Sequence, residues 1–390
     1  MTDCSGLGGF SHFGDYAQLL RNRTSFSAPR LEECQIPICS ALWGFGVPDL
    51  SGIGVAVGYT LSVFLGPFLS TVLLSTSPLA FRIQTTATAA LAAFFDSGVY
   101  FAFAIQVATI TTLAPKDYET KETSIGDYES RTAGLVSIIC LLPLLYPIAI
   151  LPFSPNRLIQ TRTPYRLTLF CLAVVISFYP FLSQSIRNFA PTQVGAGNGE
   201  QGETYVTAAE WAAVERLCFG EGISYLTKRE HKILRAFQIV ASLTIFLFTI
   251  GAIIPPGLRR LNYLYGSDSP LRNDWLGKVE WATTKVSNNA WLRYMLLSVP
   301  TLLAVPLLWG FFKLRTLQGQ LAKRTGGDEE ANLWEFGQVM AITIFVPVLA
   351  ELIFVAVRRG GRADVRSAGD DVIKGDYTEQ KQGLCLFWNH

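Results

Sequence analysis

The stretch IGVAVGYTLSVFLGPFLSTVLL, residues 53–74, decides the fold class. Its 22 residues carry no Asp, Glu, Lys, Arg or His. As a helix it would rise about 33 Å, enough for a hydrocarbon layer about 30 Å thick. Inside a bilayer every backbone N–H and C=O must be satisfied within the segment, so such a run reads as a spanning helix. Six further blocks read the same way: Ala87–Leu113, Ala133–Phe153, Leu167–Ser183, Ala236–Ile254, Leu292–Leu314 and Glu335–Val357. The sequence therefore predicts an all-α integral membrane protein, a bundle of seven transmembrane helices. A polar N-terminal segment occupies residues 1–52 and the membrane domain residues 53–357, with a long polar loop at 184–235. A polar tail, read as disordered, covers residues 358–390.

Composition agrees and excludes several functions. Of 390 residues only 16% are charged, against roughly 25% in an average soluble domain. A net charge of +2 leaves no broad basic surface, so nucleic acid is not an expected partner; the lipid bilayer is. The three histidines, His12, His231 and His390, lie outside the apolar blocks, which rules against haem or di-iron sites between the helices. Seven cysteines form no CxxC pair, so no structural metal is expected, and no cofactor either. No GxxxxGK phosphate loop occurs. A formal GxGxxG at residues 195–202 has no strand before it and carries Glu200, with Glu203 just after, so it reads as a flexible linker. Within the same loop Trp211, Val214, Leu217 and Cys218 share a helical face. That fits either a helix at the membrane surface or a packed loop helix.

An odd number of spans puts the termini on opposite sides. No Lys or Arg lies between Leu31 and Gly52, whereas Arg358, Arg359, Arg362 and Arg366 follow the last block. The positive-inside rule then gives an N-terminus out and a cytoplasmic C-terminus, in the endomembrane system or plasma membrane. The first 48 residues contain no apolar signal-peptide core. Asn22-Arg23-Thr24 is a glycosylation sequon in the same segment as Cys4, Cys34 and Cys39, whose pairing the sequence leaves open. Arg157, Arg162 and Arg166 mark the stretch Ser154–Arg166 as an inside loop, and Trp43, Trp291, Trp309 and Trp334 are expected in the headgroup layers.

The first block carries small residues at fourfold spacing, Gly54, Gly58, Ser62, Gly66 and Ser70, a face on which another helix can approach closely. Packing within the bundle, homo-oligomer formation and ligand approach all fit such a row. Chemistry, if any, falls to two acids. Asp96 sits near the middle of the second block, costing about 2.5–3.5 kcal/mol there if ionised, so it should face the bundle and line a central cavity. Tyr100 shares its face. A buried structural hydrogen bond is the competing reading of Asp96. Glu351, in the last block, either snorkels toward Arg358 or meets Asp96 across helices to share a proton. Gln106 is rotated about 80° from Asp96 and belongs to a different face.

Pro48-Asp49-Leu50-Ser51-Gly52-Ile53-Gly54-Val55 resembles the PD-x-x-G-I-G-V entry to the first span of a family of filamentous-fungal polytopic membrane proteins. Asp96-Ser97-Gly98-Val99-Tyr100-Phe101 and Trp334-Glu335-Phe336-Gly337-Gln338 are similar to other recurring stretches of that family. The resemblance implies an accessory role in a secondary-metabolite pathway and assigns no catalytic residue. Two other classes stay open. One is a membrane-embedded cyclase-like enzyme in which Asp96 or Glu351 protonates an apolar, isoprenoid-type small molecule. The other is a seven-helix receptor.

Overall fold

The computed structural model describes residues 4, 7, 13–24, 28–44, 46, 48–74, 78–118, 126–150, 157–183, 208–220, 227–265, 290–326, 336–350 and 352–353. Among them the regular elements are helices: α1 (Phe13–Thr24), α2 (Ala28–Glu33), α3 (Gln35–Trp43), α4 (Pro48–Ser51), α5 (Ile53–Leu74), α6 (Pro78–Asp117) and α7 (Asp127–Ile139). A 3-10 turn at Leu142–Leu144 follows, then α8 (Leu145–Ile150), α9 (Arg157–Ile176) and α10 (Tyr179–Leu182). The remainder are α11 (Ala208–Phe219), α12 (Lys228–Tyr265), α13 (Ala290–Thr325) and α14 (Phe336–Thr343).

Among the described residues six stretches are long and apolar enough to cross a bilayer: Asp49–Leu74, Thr86–Pro115, Tyr128–Ile150, Pro164–Leu182, Arg229–Ile253 and Leu297–Thr325. The apolar helix Ala341–Ala350 is shorter. It breaks at Ile344 and Phe345, where the Phe345 N–H turns back to the Ile342 carbonyl. Pro347 has no N–H to carry an α-helical bond across that break. Helices α6, α12 and α13 overshoot their apolar blocks at both ends, because hydropathy marks only the hydrocarbon-matched part of a helix. In the third span Pro143 and Pro147 withdraw two donors in succession, and the helix tightens to 3-10 geometry at Leu142–Leu144. Pro67, Pro300 and Pro306 instead sit inside continuous helices.

The third span is the centre of the bundle, with 83% of its apolar window buried; the fifth lies at the edge, with 17%. Helix α5 turns its small residues inward: Gly54, Gly58, Ser62, Gly66 and Ser70 are all buried. A Cβ at Gly58 would stand 3.2 Å from both the Ala341 carbonyl and the Phe101 ring. One at Gly66 would stand 3.1 Å from the Pro143 carbonyl. The serines donate to their own helix, Ser62 to Gly58 O and Ser70 to Gly66 O, so they ask nothing of their neighbours.

Several expectations need correcting at one end of this bundle. The N-terminal segment is a packed cap, not a merely polar leader: Tyr16, Leu20, Leu31, Ile38 and Leu50 are buried. Burial also pushes the Tyr16 phenol well above its ordinary range. Trp43 does not present its ring at the surface, as a headgroup-facing residue would; it is fully buried, with ring centroids 5.5 Å from Trp211 and 5.0 Å from Phe219. Helix α11 packs into the cap through Val214 and Cys218, and α12 starts at Lys228, so the connection expected over 184–235 is partly structured. Disulfides Cys4–Cys34 and Cys39–Cys218 close the cap, each with Cα atoms 5.6 Å apart.

Four chain segments meet here. The Gly46 N–H donates to Glu129 Oε1 at 3.0 Å, Gln318 Nε2 to the Gly44 carbonyl at 3.2 Å, and Gln35 Nε2 to the Leu217 carbonyl at 2.9 Å. Gly44 is required at its turn: φ is +79°, and a Cβ would fall 2.5 Å from the Glu129 carboxylate carbon. Between successive segments the chain makes two long passages along the bundle and returns to the same end.

Candidate functional site

Asp96 lies in the middle of α6 and faces the neighbouring helix α9. Its Oδ1 accepts from Arg166 Nε at 2.6 Å and its Oδ2 from Arg166 Nη2 at 2.7 Å, a bidentate fork. The arginine side chain is 6% exposed and the aspartate 36%, so the guanidinium is buried and the carboxylate partly open. Both carboxylate oxygens carry an N–H bond.

Arg166 is the residue that sequence reasoning misplaced, as the last charge of an inside loop. It lies ten residues into nothing like a loop: α9 begins at Arg157, and the apolar window opens at Pro164. A signal was present. An isolated acid inside one span calls for a cation from another, and Arg166 immediately precedes the apolar run from Leu167.

Tyr100, one turn beyond Asp96, meets Tyr165, the neighbour of Arg166, with hydroxyl oxygens 2.7 Å apart. The two rings are 50% and 56% exposed. Two adjacent turns of α6 and one of α9 thus bring an ion pair and a phenol pair to one patch. Glu351 lies outside the described residues, so a meeting with Asp96 is not among the contacts seen.

Other polar groups in the bundle are bound up in packing. Gln106, fully buried, donates from Nε2 to the Ser137 carbonyl at 2.7 Å and accepts from the Ser137 hydroxyl, tying α6 to α7. Tyr179 and Ser183 donate to the two oxygens of Asp117 at 2.9 and 3.0 Å. Glu129 holds the Gly44–Gly46 turn and accepts from the Gly126 N–H. Lys313 pairs with Glu230, and Arg131 contacts His231. In the cap, Arg21 bridges to Glu210 at 3.0 Å, and that carboxylate holds the guanidinium above its usual range. Asn22 is exposed in the last turn of α1. Cys140 and Cys171 are free thiols. Among the described residues no three His, Cys, Asp or Glu side chains converge as metal ligands.

Fold and site together define an integral membrane protein, helical throughout its described residues, with a disulfide-closed cap at one end and the Asp96–Arg166 pair between α6 and α9. No family model, curated protein or solved structure matches the chain.

Proposed function

We propose that the chain is a seven-span protein, N-terminus and cap on the lumenal or extracellular side, acting as a non-catalytic accessory component of a fungal secondary-metabolite pathway. The observation that carries the non-catalytic reading is the fork between Asp96 and Arg166. The fork gives Asp96 a packing role, tying α6 to α9 through Arg166, that needs no proton transfer. The resemblance in the first, second and seventh blocks supports the pathway context.

The orientation rests on chemistry and on parity. Disulfides persist in oxidising compartments, and both lie in the cap. Six passages bring the chain back to the cap end at residues 318–326, so one further crossing through Phe336–Ala350 would carry the tail to the cytoplasm.

Gene deletion with untargeted metabolite profiling tests this. The accessory reading predicts a lowered yield of a pathway product, restored by the wild-type chain, with no apolar precursor accumulating in the deletion strain. A missing product with an accumulating apolar precursor, rescued by wild type and not by an Asp96→Asn chain present in the membrane at the wild-type level, would support the cyclase-like alternative instead.

A further inference from the structure

The polar patch between α6 and α9 stands one hydrocarbon thickness from a second polar cluster on the same helix pair. At the cap end of α6, Asp117 accepts from Tyr179 and Ser183, and Tyr118 beside it is 70% exposed. Asp117 follows Asp96 by 21 residues, a helical rise of about 31 Å, and Ser183 follows Arg166 by 17, about 25 Å. The hydrocarbon core of a bilayer is about 30 Å thick. Between the clusters, residues 97–115 and 167–182 include no Asp, Glu, Lys, Arg or His. Beyond Tyr100 the large side chains exposed there are apolar: Val107, Leu172, Val175, Phe178 and Leu182. Thr111 and Thr168, exposed among them, give their hydroxyls to carbonyls of their own helices.

On the other side of the patch the chain changes character. Helix α9 reaches back nine residues from Arg166 to Arg157, about 13 Å, through the sequence RLIQTRT, and its apolar window opens only at Pro164. The two helices run the same way, since Asp96 pairs with Arg166 and Asp117 with Ser183, so that polar stretch lies on the side of the patch away from the cap. Arginine is among the costliest residues to hold in hydrocarbon. Helix α5 is offset from this pair. Gln84 of α6 reaches the Leu73 carbonyl in the last turn of α5, twelve residues before Asp96, and the Phe101 ring stands against Gly58. The apolar band of α6 and α9 therefore sits nearer the cap than that of α5, an offset that a tilted bundle or a dip in the bilayer absorbs.

We infer that the patch of Asp96, Tyr100, Tyr165 and Arg166 lies at the membrane–water boundary on the side away from the cap. There the two phenols and the open edge of the Asp96 carboxylate meet the phospholipid headgroup layer and its water. Tyrosine suits that level because its ring is apolar and its hydroxyl wet. Asp96 is then at mid-helix without being at mid-membrane. The depth rests on helix geometry; which leaflet it is rests on the orientation proposed above.

Cysteine accessibility in sealed microsomes, whose outer face is cytoplasmic, tests it. The full chain carries Cys171→Ala with both disulfides kept, and the rate of that parent is subtracted. A charged, membrane-impermeant maleimide should label Pro164→Cys and Tyr165→Cys at least about tenfold faster than Leu172→Cys and Val175→Cys, because hydrocarbon excludes the reagent. Pro164→Cys leaves all four patch side chains in place, so the test does not hang on replacing a tyrosine. Tyr118→Cys should label only after the membrane is permeabilised, as it lies at the opposite boundary. Positions 164 and 165 as slow as 172 and 175 would overturn the inference, whether lipid tails or another chain cover them. So would equally fast labelling of all four, or labelling of 118 and 165 from the same face. If 165 labels only after permeabilisation and 118 without it, the proposed orientation fails and the boundary stands.

Discussion

Removing Asp96 alone should be far more damaging than removing the whole pair. Asp96→Ala takes from the Arg166 guanidinium, 6% exposed, the two carboxylate acceptors of the fork. Orphaning one member of a buried ion pair costs about 3–5 kcal/mol. Asp96 is 36% exposed, so part of the attraction is screened and the figure falls to about 2–3 kcal/mol. Replacing both, Asp96→Ala with Arg166→Met, removes the stranded charge and keeps the apolar stem, so stability should return to within about 1 kcal/mol of wild type. The cycle of single and double variants then shows a coupling of about 2 kcal/mol. Unfolding of the purified protein in detergent micelles, followed by heat or by denaturing detergent, measures it. Losses that simply add, or an Asp96→Ala protein as stable as wild type, would show that the fork does not form in the membrane protein.

Three further outcomes follow from the packing and the cap. Peptide mapping without reduction should recover Cys39 joined to Cys218 and Cys4 to Cys34, with Cys140 alkylated only after denaturation. Cys218→Ser should cost about 2–4 kcal/mol, and free Cys39 and Cys218 in native protein would contradict the cap. Gly66→Leu should cost about 1–3 kcal/mol, because the Pro143 carbonyl stands 3.1 Å from the new Cβ and belongs to backbone. Gly251→Ala, which meets nothing within 4 Å, should gain about 0.5–1 kcal/mol in thermal unfolding; equal effects at the two positions would discredit the α5 packing. In glycosylating cells an endoglycosidase should shift the wild-type band and leave Asn22→Gln unmoved; a wild-type band that never shifts counts against a lumenal or extracellular N-terminus.

Residues 53–74 show why the fold class could be read directly. A bilayer forbids unsatisfied backbone, so an apolar run of that length has one solution, and no tertiary information is needed. The fourfold row on α5 was legible for a similar reason: helical geometry alone puts Gly54, Gly58, Ser62 and Gly66 on one face. The cap was not legible. Its helices are short, and what makes Trp43 a core residue is Trp211 and Phe219, more than 160 positions away in the chain. Hydropathy near a span edge cannot separate a ring in the headgroups from a ring under a cap.

The site divides along the same line. That Asp96 must find something polar was determined by the sequence, because an acid within an apolar helix carries its desolvation cost wherever the helix goes. That the partner is Arg166, and that Tyr100 meets Tyr165, was decided only by the lateral packing of α6 against α9. Spacing along one chain fixes which residues share a helix face; which face of which helix it meets depends on how all the helices pack at once, and only the assembled bundle holds that information.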